Sequence, residues 1–225
     1  MEKKEADALE ILYEDAAVLA AVKPVGVVSQ GEGPDAMPAL LCRQRSLPAV
    51  YPAHRLDQAV GGAMLFAKTP KAAARLSQLV AEGRIQKEYL AVLTGVPAAR
   101  EGTLEDLLFH DKTRNKTFVV KRQRAGVRAA SLTYKIIGDV PDGAGRLSLA
   151  LAALQTGRTH QIRVQFASRG YPLLGDGKYG GRDNRCPPAL WSYRLTIPRE
   201  TGGPLVVTAA PPDNFPWNLF AMPIF

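Results

Sequence analysis

The chain has 225 residues, enough for one large domain or two small ones, and 46% of them are apolar, so nothing in its composition reads as disordered. No apolar run approaches the roughly 20 residues of a membrane span, the mixed charges of the opening MEKKEAD fit neither a secretory nor a transit signal, and Cys42 and Cys186 lack metal-ligand spacing. A formal net charge of +8 favours a polyanionic partner, and two free thiols predict a reducing, cytoplasmic compartment.

In chain order, residues 18–22 predict a strand that ends at the turn Lys23-Pro24-Val25-Gly26. Residues 30–35, rich in Gly and Pro, form a loop, 38–45 a short helix and 62–67 a buried strand. Thr69-Pro70 opens a second helix, because Thr accepts from free amide N–H groups and Pro suits the first helical position. Ala72, Ala73, Leu76, Leu79 and Val80 keep helical spacing, and Gly83 closes the element. Strands follow at 87–94, 116–122, 130–137 and 147–154. Residues 159–168 predict a helix, 171–181 a Gly-rich loop, and 190–197 and 205–209 the last strands. The Pro- and aromatic-rich tail, 211–225, is expected to pack on the body. Strands outnumber helices and do not alternate strictly with them, which predicts an α+β fold: a mostly antiparallel mixed sheet flanked by helices. With no repeat and no clean boundary, residues 1–225 read as a single domain.

Two segments carry the chemistry. In HRLDQAVGGAMLFAK, Asp57 stands between Arg55 and a turn containing Gly61 and Gly62, at the mouth of an apolar strand. Taken alone, such an Asp caps a turn or pairs with an Arg. The second segment is LQTGRTHQIRVQFASRGYPLLGDGKYG, residues 154–180. If Thr159 starts its helix, Ile162 and Phe166 share one face and Arg163 lies beside it, near the N-terminus. A cation there opposes the helix dipole, so another role is indicated. A third feature is a basic segment: Lys112, Arg114, Lys116, Lys121, Arg122, Arg124 and Arg128 follow Asp111, the only acid there. It is either a solvated hairpin face or an arm that contacts phosphates.

The two segments, about a hundred residues apart, resemble the signatures of the RluA-type pseudouridine synthases, which isomerise uridine in RNA. The resemblance runs from about Leu9 to Ala209. It implies the pseudouridine synthase catalytic fold, and a member without the small N-terminal RNA-binding domain many relatives carry. It makes Asp57 the catalytic carboxylate. Cleaving the N1–C1′ bond leaves C1′ electron-deficient, as in glycoside hydrolysis, and a carboxylate beside it can attack that carbon or take a proton from C2′. The resemblance makes Tyr89 the active-site tyrosine, stacked on the flipped base, its hydroxyl a candidate to assist removal of the C5 proton; otherwise it is a core tyrosine. It pairs Arg163 with Asp57, keeping the carboxylate charged and oriented. Arg55 would lie at the RNA, in the gap left by an extruded base. Lys112, Lys121, Arg122 and Arg124 would bind the RNA backbone, and Lys87 would be structural or face a phosphate. One apolar residue of 151–154 would pack on the uracil. His54 and His160 match positions that look architectural, and no metal or cofactor is implied.

The sequence departs from the family pattern twice: Val60-Gly61-Gly62 stands where Thr-Ser-Gly is usual, and Ser29-Gln30 where a His-Pro pair is usual. The first loses hydroxyls that would brace the turn presenting Asp57. The leading expectation is a monomeric, cytoplasmic RNA pseudouridine synthase acting on a structured rRNA or tRNA without a membrane partner. The alternatives are a non-catalytic RNA-binding or RNA-chaperone protein on the same fold, and a hydrolase, which needs a second catalytic carboxylate.

Overall fold

A computed structural model describes residues 8–221. The charged start and the last four residues of the tail lie outside the described residues. In chain order the elements are β1 (Ile11–Glu14), β2 (Val18–Lys23), α1 (Met37–Arg45), β3 (Tyr51–Pro52), β4 (Gly61–Ala67), α2 (Pro70–Ala81), β5 (Gln86–Thr94), β6 (Glu101–Asp111), β7 (Lys116–Val120), β8 (Val127–Asp142), β9 (Gly145–Leu154), α3 (Gln161–Ala167), β10 (Leu190–Ile197) and β11 (Leu205–Thr208), then a 3-10 turn at Trp217–Leu219.

All the strands join one sheet. Its path is β1-β2-β4-β10-β5-β9-β8-β6-β7, with β11 beside β10 and β3 beside β4. Among the named strands of the described residues, only β4 and β10 run parallel, through Trp191–Gly61 and Ser192–Gly62; the other strand pairings are antiparallel. This is the α+β fold expected, and the tail does pack inward as far as Trp217 and Phe220, both buried.

Both faces of the central strands are covered, so β4 is buried at every position and reads as a continuous apolar run. On one face Leu65 and Leu195 meet Leu76 and Leu79 of α2. That helix starts as its sequence predicts: Thr69 accepts a hydrogen bond from Ala72 N at 3.1 Å, with Pro70 next. On the opposite face Phe66, Tyr89, Ala91 and Ala152 meet Met37 and Leu41 of α1 and Ile162 and Phe166 of α3.

Three expectations need correction. The 11-residue β6 was not foreseen, because Glu101, Gly102, Glu105 and Asp106 are poor strand residues; it forms because Leu104 and Leu108 are buried and the strand ladders onto β8 over nine residue pairs. β1 and β3 are likewise pairing-dependent short strands. Third, α3 begins at Gln161, not Thr159, because His160 takes a left-handed conformation (φ 54°). The Gln161 side chain fastens the turn before it, accepting from Arg158 N (3.0 Å) and Thr156 Oγ1 (2.8 Å) and donating to the Ser131 carbonyl (3.1 Å).

Candidate active site

Asp57 sits in the loop between β3 and β4, and the backbone on either side of it is fixed. Leu56 and Val60 are buried in the core. The Ser29 hydroxyl donates to the Leu56 carbonyl and accepts from the Leu56 amide at 3.1 Å. Val60 N closes a turn onto the Asp57 carbonyl at 2.9 Å. Ser29, which stands in the region of the missing His-Pro pair, thus braces the residue next to Asp57.

Below this loop lies Lys23, fully buried. Its ammonium donates to the carbonyls of Pro24 (2.8 Å), Val27 (2.7 Å) and Gln58 (3.1 Å), tying the turn after β2 to the Asp57 loop. Burial pulls its pKa down to about 8, against the opposing pull of the Asp57 charge. The sequence reading saw only a turn here; the signal was a Lys at the end of an apolar strand, directly before Pro-Val-Gly.

Gly61 explains the other departure. A Cβ there would lie 2.3 Å from Cζ3 of Trp191. The indole occupies the space a Ser side chain would need, so packing replaces hydroxyls in this turn.

Across the cleft, Arg163 is buried along with Gln161–Phe166, not set on a helix surface. Its Nη1 donates to Asp57 Oδ2 at 2.9 Å, while Nε and Nη2 donate to the two oxygens of Asp176, each at 2.7 Å. Asp176 has no exposed side chain, whereas that of Asp57 is 28% exposed. Burial works against the Arg163 charge, but the hydrogen bonds and charge of Asp176, then those of Asp57, outweigh it and raise its pKa above the ordinary value. Asp176 is held in place because Gly175 (φ 75°) lets the chain pass where a Cβ would be 2.2 Å from the Cys186 carbonyl. The sequence reading missed Asp176, although it stands in the LLGDGKYG block that was singled out.

His160 Nε2 lies 3.5 Å from Asp57 Oδ2, closer than a purely architectural residue need be. Its pKa is pulled down to about 4, first by burial and then, against the Asp57 charge, by Arg163, Lys178 and His110. No hydrogen bond occupies Asp57 Oδ1 among the described residues. One carboxylate oxygen is therefore anchored and the other is available.

Ser29, Asp57, His160 and Arg163 line an open cavity of about 1180 Å³. Tyr89, buried on β5, forms part of its wall; burial and the Asp57 charge push its hydroxyl up to about 12, against the hydrogen bond with Ser192. Leu154 is the residue of 151–154 that reaches the cavity, beside Ile162 and Leu190. Arg55 and Lys112 line it, as do Lys87, Arg158 and Lys178, of which the last two were not foreseen. Lys178 Nζ also donates to the Asn115 carbonyl at 2.9 Å, joining the Gly-rich loop to the β6–β7 turn. Lys121, Arg122 and Arg124 are exposed but lie away from the cavity wall, and the Arg124 guanidinium sits 4.8 Å over the Phe109 ring. The basic segment therefore divides into a turn at the cavity and a cluster beyond it.

A sequence model of the RNA pseudouridylate synthase family matches residues 17–168. The chain is 34% identical to an uncharacterized RNA pseudouridine synthase of Bacillus subtilis, YhcT, covering 90% of this chain and 68% of that protein. It is 30% identical to the dual-specificity RNA pseudouridine synthase RluA of Escherichia coli, covering 91% of this chain and 94% of the relative. Among solved structures, human RNA pseudouridylate synthase domain containing 1 superposes with a TM-score of 0.80 at 26% identity, over 96% of this chain and 89% of that one.

Proposed function

The chain belongs to the RNA pseudouridylate synthase family, and from that premise we propose that Asp57 is the carboxylate with which it isomerises a particular uridine of a structured rRNA or tRNA. The observation that carries this reading is the asymmetric anchoring of Asp57. Arg163 holds Oδ2 at 2.9 Å, Asp176 holds Arg163 from behind, and Oδ1 carries no hydrogen bond among the described residues.

The target glycosidic bond is out of reach inside a stack, so the nucleotide must be extruded into the cavity. Leu154, Ile162 and Leu190 offer the apolar base contact, and Tyr89 the aromatic one. The raised pKa of Tyr89 keeps its hydroxyl protonated at neutral pH. That favours a hydrogen-bond donor over a base that takes the C5 proton. Asp57 then either attacks C1′ or removes the C2′ proton as N1–C1′ breaks; the uracil turns over, C5 bonds to C1′ as the Asp57–C1′ bond breaks or as C2′ regains its proton, and the C5 proton is then lost to solvent while N1 is protonated. The reaction is redox-neutral and isomerises its substrate without a second reactant.

Lys87, Lys112, Arg158 and Lys178 would hold phosphates around the cavity, Arg55 would lie in the gap left by the extruded base, and Lys121, Arg122 and Arg124 would extend the track along the RNA. Lys87 supports this: it is half-buried, pairs with no carboxylate among the described residues, and burial lowers its pKa. A phosphate would restore the solvation it has lost. We read residues 1–225 as one catalytic domain working as a monomer in the cytoplasm. The described strands form one sheet, which supports the single domain; no helix among the described residues is long and apolar enough to cross a membrane.

RNA carrying tritium at uridine C5 tests the reading. Tritium released to water, abolished by Asp57→Asn with RNA binding retained, is the expected result. Free uracil would mean hydrolysis. Isomerisation by purified Asp57→Asn would overturn the role of Asp57.

A further inference from the structure

Tyr179, on the Gly-rich loop, touches both groups that hold Asp57 Oδ2. The Arg163 guanidinium carbon lies 5.2 Å from its ring centroid, and its hydroxyl lies 2.8 Å from His160 Nδ1. The same hydroxyl receives the backbone amide of Thr117, on β7, at 2.7 Å. Thr117 is itself tied in, its hydroxyl donating to the Thr159 carbonyl at 2.9 Å.

One of these bond directions is forced. A backbone amide can only donate, so Tyr179 accepts from Thr117. That leaves the phenol's own proton available to His160 Nδ1, 2.8 Å away. A neutral imidazole that accepts at Nδ1 carries its hydrogen on Nε2. Nε2 is the atom that lies 3.5 Å from Asp57 Oδ2. That distance is long for a hydrogen bond, and contacts of this kind often tighten when substrate fills the site. Burial keeps the Tyr179 phenol protonated and holds His160 neutral at pH 7, where Asp57, Arg163, Lys178 and His110 surround it.

We propose that Tyr179 and His160 are positioning residues: a chain from Thr117 N–H through the Tyr179 hydroxyl to His160 sets the Nε2–H tautomer, which with Arg163 fixes the rotamer of Asp57. The chain starts on the strand that leaves the basic turn, so the RNA-facing hairpin and the carboxylate share one set of hydrogen bonds. The inference rests on the catalytic reading of Asp57 and adds two residues to it.

The test uses the full chain with ¹⁵N-labelled histidine, in which only three histidines need assignment. Long-range ¹H–¹⁵N spectra at pH 7 should show His160 with its proton on Nε2. Tyr179→Phe keeps the ring over Arg163 but deprives Nδ1 of its donor. It should populate the other tautomer and lower kcat about tenfold, the scale of one lost positioning bond, with KM little changed. His160→Gln, whose amide nitrogen reaches a similar place, should retain more kcat than His160→Leu. A proton on Nδ1 in the parent, full kcat in Tyr179→Phe, or equal losses in the Gln and Leu variants would each overturn the proposal. The tautomer readout needs no turnover, so it decides the matter even if a variant misfolds, and it is independent of whether Asp57→Asn is inactive.

Discussion

Two carboxylates share one guanidinium, and their environments give them different work. Asp176 is wholly buried and Asp57 partly open to the cavity. Removing one partner of a buried ion pair strands the other, at a cost of about 3–5 kcal/mol. Arg163→Ala should therefore destabilise the protein mainly through the stranded Asp176, and Asp176→Asn should also lower the melting temperature. Asp57→Asn should leave the melting temperature nearly unchanged and abolish tritium release. Thermal melts of the three variants check this. A larger loss of stability for Asp57→Asn than for Asp176→Asn would contradict the division. The pairing of Asp57 with Arg163 was legible in the sequence through the family signature; the residue that makes it rigid was not, because nothing local marks Asp176 as facing Arg163 rather than water.

At the level of elements, the Asp57 turn is shaped by the strand beside it. Gly61 is adjacent to Trp191 across the parallel β4–β10 pair. Gly61→Ser, which restores the more usual residue, should lower the melting temperature by overpacking, a cost of roughly 1–3 kcal/mol. Combining it with Trp191→Leu should cost less than the sum of the two single changes, and strict additivity in a double-mutant cycle would contradict the packing account.

The connection between β7 and β8 makes a second case. Reversing Lys121, Arg122 and Arg124 to Glu should weaken binding of RNAs of different sequence alike and flatten the dependence of log affinity on log salt, because fewer counterions are released. Folding should survive, since all three side chains are exposed. Unchanged affinity and salt slope would show that this cluster is only a solvated face. The positive charge of the segment could be read from the sequence; its division between cavity and periphery could not, because that depends on where β7 turns back.

Across the whole molecule, stability should fall with acid in a definite window. His54 and His160 have pKa values lowered to about 3 and about 4, from an ordinary 6.5, in both cases chiefly by burial. Above about pH 6.5 both are neutral whether the chain is folded or not, and their full contribution is present. As pH falls below that, the unfolded chain binds protons that the folded one refuses, so stability drops until the folded groups titrate as well. For His160 alone the difference amounts to about 3 kcal/mol. Melting temperatures measured between pH 7 and 4 should decline, and His160→Gln should make the decline shallower. An identical pH dependence in parent and variant would contradict the buried, neutral state of His160.

The sequence by itself determined the fold class, most of the elements and the pairing of Asp57 with Arg163. Those rest on local information: apolar periodicity, the Thr69-Pro70 cap, and motif residues whose spacing survives in the linear chain. Only the tertiary structure decided three things: that β6 is a strand, that Lys23 and Ser29 bolt down the Asp57 loop, and that Asp176, His160 and Tyr179 converge on the same carboxylate. The physical reason is common to all three. A ladder partner, a carbonyl cage and a shared hydrogen bond are each supplied by residues distant in sequence, as with Lys23 and Gln58 or Thr117 and Tyr179. Their energy exists only once the sheet has closed and water has been excluded from between them.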